Sequence, residues 1–324
     1  MKNNLRIVFM GTPTFSVGIM QAIMESEHEI VGVVTVADKP AGRGQMMHES
    51  AVKQFATLHA IPVLQPLKLK EPDFLATLES WKADVFVVVA FRMLPVEVWK
   101  MPLKGTFNLH ASLLPDYRGA APINWSIING DKETGVTTFF IDEAIDTGNV
   151  IGQTKMNIAP NETAGELHDR MIAIGGKLVV DTLNQIHNNT VTPIPQNQFH
   201  ISKQRPAPKL FKDNTCIDWS KTANEIHQFV CGLSPYPNAW TSWKNKKGEE
   251  KQVKLFKTTV IPQLPEGTQG KQMHSDKNFI YVVCDEKVLV IHEFQVAGKK
   301  RLSSKEWLVG NSIHDWEIAT LESN

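Results

Sequence analysis

Residues 84–90 read Asp84-Val85-Phe86-Val87-Val88-Val89-Ala90. The apolar run carries no polar alternation. A strand with one wet face alternates, so a continuous run suits a strand covered on both faces, the habit of parallel sheets flanked by helices. The pattern repeats outward on either side. Toward the N-terminus lie strands at 5–10, 29–36 and 61–64, separated by helical patterns at 15–24, 49–59 and 72–81. Toward the C-terminus come a strand at 105–111, a short helix at 121–128, a strand at 135–141 and a long helix at 163–188. That helix opens with Thr163 and Glu166 at capping-box spacing. Strands alternating with helices predict an α/β fold with a doubly wound, mostly parallel, Rossmann-like sheet over residues 1–190.

The chain has 324 residues, which suggests two domains. Residues 191–208 contain Pro193, Pro195, Pro206 and Pro208 among polar residues, the composition of a linker. From 209 to 324 the pattern changes. One helix at 221–230 is followed by short β-type runs at 239–243, 252–260, 279–284 and 288–294, which predict a small barrel.

Net charge is zero, so no global field favours nucleic acid. It is unevenly spread: residues 201–324 hold 18 Lys and Arg against 14 Asp and Glu. The excess gathers at Lys244, Lys246, Lys247, Lys251, Lys254 and Lys257, which by itself fits a solvated hairpin. Cys216, Cys231 and Cys284 are odd in number and widely spaced, giving no disulfide framework or zinc pattern and suiting a reducing cytoplasm. The longest apolar run is far below membrane-spanning length. No heptad or exposed apolar helix points to a dimer, and a monomer is expected.

The chemistry-bearing residues sit on the strand at 105–111. Asn108 and His110 stand at i and i+2, so they project from one face. Strand ends are where parallel sheets place their sites. Asp146-Thr147-Gly148 follows at a distance. An Asn amide can donate to a developing oxyanion, a His can donate or move a proton, and an Asp can orient the His. Together they suit acyl transfer to an amine without an enzyme nucleophile. The same residues could equally satisfy strand-end backbone groups and a turn, so spacing alone leaves function open. The turn Gly11-Thr12-Pro13-Thr14-Phe15 is neither GxGxxG nor a P-loop, and Pro13 removes an amide a phosphate would use.

The run Asn108-Leu109-His110-Ala111-Ser112-Leu113-Leu114-Pro115-Asp116-Tyr117-Arg118-Gly119, with Asp146-Thr147-Gly148, resembles the signature of the 10-formyltetrahydrofolate-dependent formyltransferases. Gly11-Thr12-Pro13, the loop Asp38-Lys39-Pro40-Ala41-Gly42-Arg43-Gly44, Ile217-Asp218-Trp219 and Gly298-Lys299-Lys300 extend the likeness to the branch that formylates initiator methionyl-tRNA. The resemblance implies 10-formyltetrahydrofolate as formyl donor, no metal, and Asn108, His110 and Asp146 as the catalytic trio. It implies that Ser112, Leu113, Leu114 and Pro115 line the folate site. It further implies that Lys39 and Arg43 reach the tRNA acceptor end, and that an OB-like C-terminal barrel contacts tRNA, with Lys244, Lys246 and Lys247 at its edge. The chain departs from the usual pattern at Phe91-Arg92-Met93-Leu94-Pro95, where many relatives carry a Tyr-Gly pair. Glycinamide ribonucleotide and nucleotide-sugar formyltransferases share the Asn-His-Asp logic; a tRNA-binding module with a retired site is a rival of another class.

Overall fold

The computed structural model describes residues 4–41, 46–199, 204–267, 269–270 and 273–319. In chain order it begins with β1 (Arg6–Gly11), α1 (Thr14–Met24), β2 (Glu29–Val34), the hairpin strands β3 (Lys39–Ala41) and β4 (Met46–His48), and α2 (Ala51–Leu58). Next are β5 (Val63–Leu64), α3 (Pro72–Ser80), β6 (Val85–Val89), α4 (Val96–Trp99) and β7 (Thr106–His110). Then follow β8 (Arg118–Gly119), α5 (Pro122–Ile128), β9 (Glu133–Phe140), β10 (Val150–Asn157) and α6 (Ala164–Asn188).

The main sheet runs β10-β9-β7-β6-β1-β2-β5. Strands β7, β6, β1, β2 and β5 are parallel, while β9 runs against both its neighbours. The apolar run at 84–90 forms β6, and all five of its residues are buried. Val8, Met10, Phe86 and Val88 pack on one face with Phe74, Leu78 and Val98. Each such side chain contributes about 1.5–3 kcal/mol on burial. On α1, a Cβ at Gly18 would lie 2.2 Å from Ile172 Cγ2 of α6, so glycine permits that close approach. The chain leaves β1 toward β2 and β5, then returns to β6 on the other side. The switch point therefore lies between Gly11 and Val89, paired at the carboxyl ends of β1 and β6, where this architecture opens a crevice.

By compactness the chain divides into one unit of Met1–Pro122, Glu133–Asn157 and His168–Pro206, and a second of Ile123–Lys132, Ile158–Leu167 and Ala207–Asn324. Residues 191–199, linker-like in composition, are bonded into the first unit: Val150 and Ile194 exchange two backbone hydrogen bonds of 2.8 Å.

After β11 (Pro206–Ala207), the second unit holds α7 (Ala223–Leu233), β12 (Ala239–Asn245), β13 (Glu250–Ile261), β14 (Gln269–Gly270) and β15 (Met273–Ser275). It continues with β16 (Ile280–Cys284), β17 (Lys287–Val296), β18 (Arg301–Ser303), α8 (Ser304–Leu308) and β19 (Trp316–Ile318). The antiparallel order is β14-β15-β16-β17-β13-β12-β19, with β18 on β17. The terminal strand β19 comes back against β15, which nearly closes an OB-like barrel. Its core centres on Trp243, whose ring lies 5.1 Å from that of Phe294. The helix expected at 221–230 starts later, at Ala223. Thr222 and Glu225 form its capping box, so Asp218-Trp219-Ser220 lies outside it. Among the described residues no helix is long and apolar enough to cross a membrane.

Candidate active site

Asn108 and His110 lie on β7, whose neighbours are β6 and β9. Register sets Asn108 opposite Val88 and Phe139. The Asn108 amide oxygen is buried and has no hydrogen-bond partner. A buried acceptor left unpaired costs about 1–3 kcal/mol, so it marks a place where a ligand donor is expected.

His110 is buried. Its Nε2 lies 2.8 Å from the Tyr117 carbonyl oxygen, which can only accept, so Nε2 carries the proton. The other nitrogen, Nδ1, faces Asp146 Oδ2 at 3.8 Å, too far for a direct hydrogen bond. Asp146 adopts φ +55°, and its Oδ2 accepts the Gly119 amide at 2.9 Å. Gly148 closes the turn: a Cβ there would fall 1.7 Å from the Phe140 carbonyl oxygen. Tertiary folding thus brings Asp146 to His110 across 36 residues of chain, as the motif pair suggested.

The loop leaving β7 is held by β9 and β10. Thr137 Oγ1 donates to Ser112 O at 2.6 Å and accepts from Leu114 N at 3.1 Å. Gln153 Nε2 donates to Leu114 O at 2.7 Å. Ser112 Oγ donates to Asp116 O at 2.6 Å, so this hydroxyl is committed to the loop itself. Leu114 and Pro115 are buried and Leu113 is half-buried, lying over Gly135. Arg205 grips the far end: its Nη2 sits 2.6 Å from Asp116 Oδ2, and its guanidinium stacks 4.4 Å from the Tyr117 ring. Arg92, in the segment that departs from the family pattern, donates to the carbonyls of Pro66 and Leu67.

Sequence reasoning missed Gln196, Arg205 and the Tyr117 carbonyl. Gln196 stood in a Pro-rich polar stretch with no motif, and a backbone carbonyl leaves no trace in sequence. Among the described residues no three His, Cys, Asp or Glu side chains gather as a metal would need.

Of the residues expected at tRNA, Arg43 lies outside the described residues. Lys39 opens β3, whose partner β4 follows that loop. Lys246 Nζ is paired with Asp315 at 2.7 Å, and Lys244 sits across from Glu250 and Glu317. Lys247 occupies the turn ending at Gly248, which has φ +82°.

Comparison with known proteins gives the family. A formyl transferase family model matches residues 5–183, and a formyl transferase C-terminal domain model matches 209–312. The chain belongs to the formyl transferase family and is a formyl-transferring enzyme. Methionyl-tRNA formyltransferase of Bacteroides fragilis is 47% identical over 310 residues, covering 95% of this chain and 96% of the relative. That of Flavobacterium johnsoniae is 48% identical over 312 residues, covering 96% and 98%. Within the family, the chain therefore falls among the methionyl-tRNA formyltransferases. The fold is shared with an N-formyltransferase of Helicobacter canadensis solved with folinic acid and dTDP-3-aminofucose (TM-score 0.62, 21% identity, 89% and 98% covered). It is also shared with HypX of Aquifex aeolicus bound to tetrahydrofolic acid (TM-score 0.61, 19% identity, 94% and 47% covered).

Proposed function

We propose that formyl transfer from 10-formyltetrahydrofolate to the methionine amine of initiator methionyl-tRNA runs here by direct attack of that amine, at the carboxyl end of β7. The observation that carries this reading is His110 Nδ1 facing Asp146 Oδ2 at 3.8 Å, two residues along the strand from the unpartnered amide oxygen of Asn108.

Asn108 donates an amide N–H to the formyl oxygen as it gains charge. Its orphaned Oδ1 accepts from the incoming amine. His110 uses Nδ1 at the reaction, because Nε2 is held by Tyr117, and as the imidazolium it donates to the same oxyanion. Asp146 balances that charge. As the new C–N bond forms and the bond to N10 of the folate breaks, the attacking nitrogen loses one proton and N10 gains one. No net proton is consumed, and the His110–Asp146 pair relays it. The folate supplies the activated formyl group.

The 112–115 loop lines the tetrahydrofolate site through its backbone and Leu113, while Ser112 and Leu114 hold its shape. Lys39 and Arg43 address the acceptor end of the tRNA. The barrel edge with Lys244, Lys246 and Lys247 meets its phosphates. In this reading the enzyme acts as a monomer in the cytoplasm.

The test is formyl transfer from 10-formyltetrahydrofolate to charged initiator tRNA, glycinamide ribonucleotide and free methionine in parallel. Transfer to the tRNA alone is expected. Turnover of a small amine at comparable rate would refute the tRNA reading and keep the chemistry at β7.

A further inference from the structure

We propose that Gln196 is a positioning residue for formyl transfer, which clamps Asp146 from a segment that neither family model reaches. The inference rests on the reading that Asp146 takes part in the reaction. The first matched stretch ends at 183 and the second begins at 209. Gln196 nevertheless sits in the first unit and is only 5% exposed.

Its amide is fully used. Nε2 donates to Asp146 O at 2.9 Å and to Gly148 O at 2.8 Å. Oε1 accepts from Arg118 Nε at 3.1 Å and Nη2 at 2.6 Å. The orientation is chemically unambiguous, since carbonyls only accept and a guanidinium only donates. Gln196 therefore spans both sides of the Asp146 carboxylate: the Asp146–Gly148 turn, and Arg118, whose neighbour Gly119 donates to Asp146 Oδ2.

Asp146 needs such a hold. Its φ of +55° is a conformation that costs a non-glycine residue stability unless its surroundings impose it. The preceding residues Asp142–Ile145 are exposed; Thr147 Oγ1 donates to Asp142 Oδ1 at 2.7 Å, but that bond lies at the surface within the turn itself and ties it to no buried element. Gln196 can, because it is itself anchored. It opens the 3₁₀ turn Gln196–Gln198, two residues after the paired backbone bonds of Ile194 with Val150.

The decisive variant is Gln196→Glu in the full-length enzyme. It keeps an acceptor for Arg118 but removes both N–H donors and sets a carboxylate oxygen against two carbonyls. Displacing Asp146 by about 1 Å is expected to lower kcat roughly 10- to 100-fold. KM for tRNA and KM for folate should hold, the melting temperature should fall without unfolding the enzyme at the assay temperature because two buried carbonyls lose their donor, and the pH profile of kcat should shift. Introduced into an Asp146→Asn background, the same change should cost less than about twofold, because residues acting as one unit are not additive. Gln196→Asn, which draws the amide back by one methylene, serves if the first variant does not fold and should show the same split. An equal loss of kcat in both backgrounds, or a loss explained by unfolding at the assay temperature, overturns the positioning role. Full turnover by Asp146→Asn alone overturns the reading of Asp146 instead, whatever Gln196 does.

Discussion

His110 Nε2 donates to the carbonyl oxygen of Tyr117 at 2.8 Å, and this one bond decides which ring nitrogen can meet the substrate. With Nε2 occupied, Nδ1 is left facing Asp146. The two amide replacements of histidine then separate the two nitrogens.

In His110→Asn the amide nitrogen stands near the Nδ1 position; in His110→Gln it stands near Nε2. Both should lose roughly 100-fold or more in kcat, the usual worth of a positioned acid. Asn is expected to retain the higher turnover. A higher kcat for Gln would mean that Nε2 is the working nitrogen.

Asn108→Ala should lower kcat by about 100- to 1000-fold, the usual cost of one oxyanion donor. Stability should hold or rise by up to about 1 kcal/mol, since the change deletes a buried oxygen that has no partner. Thermal melts and steady-state kinetics on one preparation check both. A folded variant with full turnover would remove Asn108 from the mechanism.

Gly148→Ala places a Cβ 1.7 Å from the Phe140 carbonyl oxygen, so the turn must shift. A destabilisation of about 1–3 kcal/mol is expected. Because Asp146 moves with the turn, kcat should fall roughly 100-fold. Denaturant unfolding together with a turnover assay reads both, and a variant as stable and as active as the parent would contradict the geometry.

Acid should weaken the fold before carboxylates titrate. Burial pushes His227, His28 and His292 below their ordinary value of 6.5. His227 is satisfied as the neutral ring, with Nδ1 3.0 Å from the Thr258 hydroxyl and Nε2 2.8 Å from Asn161 Oδ1. The unfolded chain takes up these protons first, so stability is full above pH 6.5 and declines as the pH falls from there toward the lowered folded values. Melting temperatures measured from about pH 8 to pH 5 should show this decline, and a flat profile would count against it.

The lysines at the barrel edge should differ. Lys246 already has Asp315 as a partner at 2.7 Å, although an exposed pair is worth little. Lys247→Ala is expected to reduce the salt slope of tRNA binding by about 1, and Lys246→Ala by less. Arg43→Ala should raise the KM for tRNA more than that for folate. Unchanged tRNA saturation would end that assignment.

The local signals were strong where a single period decides. The five apolar residues of β6 announced a doubly covered strand, and alternation placed Asn108 and His110 on one face of β7. Reading failed where pattern is weak or partners are distant. Strand β10 has only one buried residue, Val150, among its eight because it lies at the sheet edge, and its Gln153 proved to hold Leu114. Composition made 191–199 look like linker, since proline and polar residues mark loops wherever the loop goes. Two backbone bonds from Val150 drew Ile194 onto the sheet and buried Gln196 beside Asp146.

By itself the sequence determined the alternation of the main strands and helices through β9, the placement of Asn108 and His110 on one face of a strand and the family signature around them. These depend on neighbours a few residues apart, where backbone periodicity acts. Only the tertiary structure decided that Asp146 reaches His110 Nδ1, that Tyr117 claims Nε2, and that Gln196 holds the turn. Those relations depend on hydrogen bonds between segments whose separation in sequence says nothing of their separation in space.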